Sequence, residues 1–139
     1  MLLGFKKRFA EPILDGTKTH TFRAKRKNPP KIGETLYMYY GLKTKSATLI
    51  SNREKLISWQ EAVLIFIYKE NRLDVSAQID GRKLSLIEIL SLARHDGFNS
   101  ISDWATYWIE SSTGKKFNKK KEYDVRGKLD LLHWTTLRY

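Results

Sequence analysis

The sequence predicts an α+β protein, a small β-barrel or strongly curled mixed sheet flanked by about three helices. Strand-patterned segments outnumber helical ones, the helical patterns fall in two places only, and no β-α-β alternation repeats along the 139 residues. No internal repeat or low-complexity linker breaks the chain, so residues 1–139 are expected to form a single domain, long enough to bury ~65–70% of its unfolded surface.

The first helix is expected over residues 8–15, RFAEPILD, with Phe9, Ile13 and Leu14 on one face. Pro12 fits only in a first turn, where its missing N–H has no helical acceptor in any case, and Gly16 suits the left-handed residue that ends a helix. The run after it, TKTHTFR, has period-two spacing and three threonines, which reads as a strand. GETLYMYYG at 33–41 is a second strand, with Leu36, Met38 and Tyr40 on one face and Tyr37 and Tyr39 on the other. Residues 44–60 carry one or two further strands. EAVLIFIYK at 61–69 is nearly continuous in apolar residues and is expected to be buried on both faces. RLDVSAQI at 72–79 alternates with Leu73, Val75, Ala77 and Ile79 inward, and Asp80-Gly81 closes a tight turn.

Ser85 followed by Glu88 is a capping box, and it opens a helix whose stripe is Leu86, Ile89, Leu90 and Ala93. Gly97 ends or bends it. A second helix follows in NSISDWATYWIES, with Ser100 as its cap and Ile101, Trp104 and Trp108 on one face. The closing YDVRGKLDLLHWTTLRY is mostly strand.

Charge is the strongest compositional signal. Twenty-six Lys and Arg against 15 Asp and Glu leave a formal +11, a field that attracts polyanions and above all nucleic acid. Two loop-like clusters concentrate it: AKRKNPPK at 24–31, with Lys25, Arg26, Lys27 and Lys31, and GKKFNKKKEY at 114–123, with Lys115, Lys116, Lys119, Lys120 and Lys121. Neither lies on an amphipathic helix, so membrane attachment is not expected. Cysteine is absent, which excludes disulfides, thiolate metal sites and cysteine nucleophiles. His20, His95 and His133 lack a metal-ligand spacing, and no metal or cofactor is expected. The apolar run at the start is too short for a signal sequence and nothing approaches a bilayer span, so a cytoplasmic location is expected.

The order of a helix, GTKTHTFR, KIGETLYMYYG, ARHDGF, a tryptophan-rich helix and a closing strand resembles the ASCH domain, a branch of the PUA-like β-barrels. The Gly-x-Lys-x-x-x-x-Arg element falls on Gly16, Lys18 and Arg23, and the match covers nearly the whole chain, most weakly over 44–80. The resemblance implies an RNA-linked or nucleotide-linked role, either binding alone, removal of the acetyl group from 4-N-acetylcytidine, or ribonuclease activity. It assigns the working lysine to Lys18, the threonine to Thr21 and the carboxylate to Asp96, an aspartate where that branch carries glutamate. Aspartate is one methylene shorter, so reach decides whether the trio can assemble.

A threonine hydroxyl needs a base, and a lysine serves as one only when burial or a nearby cation lowers its pKa. In a regular strand Lys18 and Thr21 would point to opposite faces, so Lys18 must still lie in the turn after Gly16. Asp96 falls at a helix C-terminus, where the macrodipole disfavours negative charge and a partner is expected. Arg23 either clamps an anion or pairs with Glu34 or Asp96. His20 is a strand histidine beside this group; Tyr39, with Tyr37, can stack a base or pack the core; Thr44 and Lys45 are candidate rim groups. Trp104, Tyr107 and Trp108 have core spacing, while Trp59 or Trp134 could line a pocket. Three functions follow: an RNA or modified-nucleoside binder, an amidohydrolase at the same pocket, and a basic module for acidic proteins.

Overall fold

Eight strands divide between two open sheets, flanked by three α-helices, in the computed structural model, which describes residues 1–139. The smaller sheet runs β1 (Leu2–Phe5), β3 (Tyr37–Tyr40), β4 (Thr48–Ser51), with β1 parallel to β3. The larger is antiparallel in the order β2 (His20–Ala24), β8 (Tyr123–His133), β5 (Ser58–Lys69), β6 (Arg72–Ile79), β7 (Arg82–Lys83). The helices are α1 (Ala10–Asp15), α2 (Leu86–His95) and α3 (Ile101–Thr113), with a 3-10 turn at Lys7–Phe9. The α+β class is as the sequence predicts, but no barrel closes. β1 pairs with β3 instead of the larger sheet, and β7 is only two residues long, so both sheets keep their edges.

The β5·β8 ladder is the spine, paired from Ser58↔His133 to Tyr68↔Tyr123. Its expected burial on both faces does not hold. Gln60, Ala62, Leu64, Phe66 and Tyr68 are buried, whereas Val63, Ile65 and Ile67 are half-exposed. α3 covers the first face, packing Trp104 and Trp108 on Phe66 at centroid distances of 5.2 and 6.3 Å. On the other face Val63 and Ile65 pair in register with the exposed Lys128 and Arg126, and no helix covers them.

Helix boundaries follow local chemistry. Pro12 lies in the first turn of α1, and Gly16 closes it at φ 84°. Leu14, expected inward, is 67% exposed; Phe9 and Ile13 alone carry that face. Ser85 and Glu88 form the reciprocal capping box of α2, and Ser100 caps α3 by accepting from Asp103 N–H. The stripe of α2 is Ile89, Leu92 and Ala93. Leu86, a turn earlier on the same face, lies beyond the edge of the core at 72% exposed. One turn further on, the same stripe reaches Asp96.

Candidate functional site

β1, the edge strand β2, the turn after β3 and α3 enclose a cleft of about 680 Å³. Its floor is Lys18 and Asp96. Thr17 N–H donates to Asp15 Oδ1, Lys18 N–H to Pro12 O and Thr19 N–H to His95 O, so the chain after Gly16 stays a turn and β2 begins only at His20. That turn frees Lys18 from strand alternation, and it lines the cleft together with Thr21.

Lys18 Nζ donates to Asp96 Oδ1 at 2.6 Å and to the Asp96 carbonyl at 2.7 Å. Asp96 Oδ2 accepts from Trp104 Nε1 at 3.0 Å. The shorter carboxylate therefore reaches its lysine, because Asp96 caps α2 with its side chain on the buried face. The helix-end position also makes sense: the ammonium sits at the C-terminus of α2, where the macrodipole favours a cation, and shields the carboxylate from that same field. Gly97 is required beside it, with φ at +96° and the site of a Cβ only 3.2 Å from Phe9 Cδ1 and 3.4 Å from Lys18 Cδ. Phe9 and Phe5 lie against the ammonium, 4.8 and 5.8 Å from ring centroid to Nζ.

Burial lowers the Lys18 pKa and raises that of Asp96, while their mutual attraction opposes both shifts; Arg23 and Arg8 lower Lys18 further. Beneath the pair, His20 Nε2 meets Leu92 O at 3.2 Å and lies 4.0 Å from Asp96 Oδ1. Burial holds its pKa well below the usual imidazole value, so it is neutral. His20 is fully buried and does not line the cleft; it supports the floor.

Arg23 lies along one wall. Its Nε donates to Thr21 Oγ1 at 3.2 Å and its Nη2 to Gly4 O at 2.8 Å, with the guanidinium 4.7 Å from the Phe5 ring. It pairs with neither Glu34 nor Asp96, the two partners a structural role would have used; Asp96 is taken by Lys18, and Glu34 by the amino group of Met1 at 3.6 Å. No hydrogen bond joins Lys18 to Thr21. Thr44 is on the rim, its hydroxyl donating to Gly41 O at 2.8 Å, but Lys45 and Tyr39 do not line the cleft. Lys43, not Lys45, lines the cleft from the turn after β3, and Tyr39 is half-buried on β3 opposite Leu49.

Residues that the pattern did not mark complete the site: Phe5 at the end of β1 and Lys6 just after it, Leu42 and Lys43 after β3, and Tyr107 and Trp108 of α3. The helical spacing of Tyr107 and Trp108 spoke only for the core, and they are half-buried because one edge of each meets the cleft. Trp59 and Trp134 do not line it. Both basic clusters are exposed, and they join the sheet six residues apart along β8, roughly 20 Å at ~3.4 Å per residue. Lys25, Arg26, Lys27 and Lys31 continue directly from Arg23, whereas Lys115, Lys116, Lys119, Lys120 and Lys121 lie toward the far end.

The fold and the cleft thus define an α+β protein with a buried lysine–aspartate pair under aromatic walls. No protein-family model, curated protein or solved structure matches the chain. No group of three or more His, Asp or Glu side chains is placed to hold a metal ion, and no helix is long and apolar enough to cross a membrane.

Proposed function

We propose that this is an RNA or modified-nucleoside binding protein of the ASCH, PUA-like kind, with one base or nucleoside seated in the cleft and the basic loops engaging phosphates. The observation that carries this reading is the buried Lys18–Asp96 pair at the floor of a cleft walled by Phe5, Phe9, Tyr107 and Trp108. Its volume falls in the ~300–1,000 Å³ range of small-molecule sites. Aromatic edges and faces suit a planar base, and the third N–H of Lys18 with the Thr21 hydroxyl offers polar contacts to its edge.

Calorimetric titration with cytidine, 4-N-acetylcytidine and the other nucleosides, alongside short RNAs, tests this reading. RNA affinity should fall steeply with added salt and weaken further in a Lys119→Glu/Lys120→Glu/Lys121→Glu variant. Absence of binding to every nucleoside and RNA at low salt would defeat it.

A second reading, an amidohydrolase acting on 4-N-acetylcytidine-type nucleosides, is favoured by one specific observation: burial lowers the pKa of a lysine that shares the cleft with Thr21. Lys18 in its neutral form would take the hydroxyl proton as Thr21 Oγ attacks the acyl carbon. The carbon–nitrogen bond then breaks, the proton passes to the departing amine, and water releases the acyl group from Thr21 as a carboxylic acid. Substrate must draw Lys18 and Thr21 together, as catalytic contacts commonly tighten on binding. Chromatography of 4-N-acetylcytidine incubated with protein decides it: cytidine forms and is lost in Thr21→Val, or no turnover occurs and binding alone remains. Ribonuclease activity is the weaker enzymatic alternative, read from the same samples with RNA as substrate.

A further inference from the structure

We propose that the cleft binds a nucleoside together with its phosphate, the phosphate being held by Arg23 with Lys6 and Lys43 at the rim. This rests on the nucleoside reading above and extends it to an anionic ligand.

The charges lining the cleft do not balance. Lys6, Lys18, Arg23 and Lys43 face a single carboxylate, Asp96, and Lys18 neutralises that one at 2.6 Å. Arg23, Lys6 and Lys43 form no salt bridge with any residue. For the two exposed lysines this is unremarkable, but Arg23 is half-buried, and burial already lowers its pKa. Half-buried cations normally acquire a partner.

Arg23 is nonetheless held in one orientation. Hydrogen bonds to Thr21 Oγ1 and Gly4 O use two of its five N–H groups, and the Phe5 ring packs beside the guanidinium plane. Nη1 has no partner in the protein, which leaves part of the planar fork for an oxyanion. Lys6 follows the end of β1, its Nζ 5.1 Å from the Tyr107 centroid, and Lys43 lies in the Gly41–Thr44 turn. Three uncompensated cations on separate elements around one opening suit a phosphate, whose tetrahedral oxygens point in separate directions, better than a planar carboxylate. Arg26, which acts electrostatically on Arg23, begins the basic loop just beyond, so the same phosphate belongs either to a free mononucleotide or to a residue of an RNA strand.

The test compares each nucleoside with its 5′-monophosphate, and inorganic phosphate with both, by calorimetry at low salt. The monophosphate is expected to bind roughly 10- to 100-fold more tightly than its nucleoside. This ratio should shrink with added salt and in Arg23→Gln, Lys6→Gln and Lys43→Gln. The two lysines are exposed, so their variants keep the test available if Arg23→Gln does not fold. Equal affinity for nucleoside and monophosphate, or a ratio that survives all three substitutions, overturns the phosphate clamp and leaves nucleoside binding standing. Binding of inorganic phosphate that Arg23→Gln abolishes, with no nucleoside bound, supports the clamp and defeats the nucleoside reading; no binding by any probe overturns both. Competition by an eight-nucleotide RNA at lower concentration than the mononucleotide assigns the phosphate to a strand, and the reverse order assigns it to a free nucleotide; each supports the clamp.

Discussion

Lys18 and Asp96 concentrate the chemistry of this protein into one ion pair, with three hydrogen bonds satisfying the carboxylate and the carbonyl beside it. Removing one partner strands a buried charge, which costs far more than removing both. Lys18→Met should therefore lower the unfolding free energy by about 3–5 kcal/mol at neutral pH, measured by urea denaturation. Lys18→Met/Asp96→Asn should cost less than the two single changes added together, the signature of direct coupling. The deficit of Lys18→Met should also depend on pH. Protonation of an acid whose folded-state pKa is raised relieves its burial cost, so the deficit relative to the unsubstituted protein should shrink as pH falls from neutrality toward the range where Asp96 protonates. An unchanged deficit across that range would show that Asp96 has found another cation.

Glycine, capping residues and helix faces carry information at the scale of the element. Gly97 lets α2 stop and turn Asp96 toward Lys18, and Gly97→Ala would add both a strained φ and a contact with Phe9. That variant should lose stability by about 1–3 kcal/mol and distort the cleft, seen as a lowered melting temperature with weakened ligand binding. Ser85→Ala removes the acceptor for Glu88 N–H and should cost about 0.5–2 kcal/mol by the same denaturation assay, with ligand affinity left in place because Ser85 is remote from the cleft. These elements were legible: the capping box, the Gly16 stop and the Asp80-Gly81 turn are set by neighbours in the chain, whereas the start of β2 at His20 also depends on Thr19 N–H reaching His95 O across the fold. β1 was not. Four residues, Leu2–Phe5, form a strand only because Tyr37–Tyr40 lies parallel to them, and nothing local announces a partner more than 30 residues away. With β1 came Gly4, Phe5 and Lys6, which line the cleft.

Across the whole molecule, charge and buried imidazoles set how the protein responds to its solvent. His20 and His133 are both buried, and His133 is pushed down to about 4 by burial, Arg138 adding to the effect; its Nε2 donates to Gln60 Oε1 at 3.0 Å. A histidine with a depressed folded-state pKa binds its proton more readily once unfolded. Stability should hold above the ordinary value of 6.5 and fall as pH drops from there toward 4, by about 1.4 kcal/mol per pH unit for each such histidine. Urea denaturation between pH 7.5 and 4.5 measures the slope, and His133→Asn should reduce it. A flat profile would mean that neither histidine stays neutral in the fold.

The formal +11, the absence of cysteine, the helix caps and the alternation of most strands are properties of composition and near neighbours, and the sequence by itself determined them. It also placed Lys18, Thr21, Arg23 and Asp96 in one order with a turn before the strand. Only the tertiary structure decided that Asp96 reaches Lys18, that Arg23 takes a threonine and a carbonyl in place of a carboxylate, and that His20 lies under the floor rather than in the cleft. It decided as well that two sheets stay open where a closed barrel was expected. The reason is common to all four: each depends on which distant segment supplies the neighbouring atom, and side-chain reach is a distance across the fold that spacing along the chain does not encode.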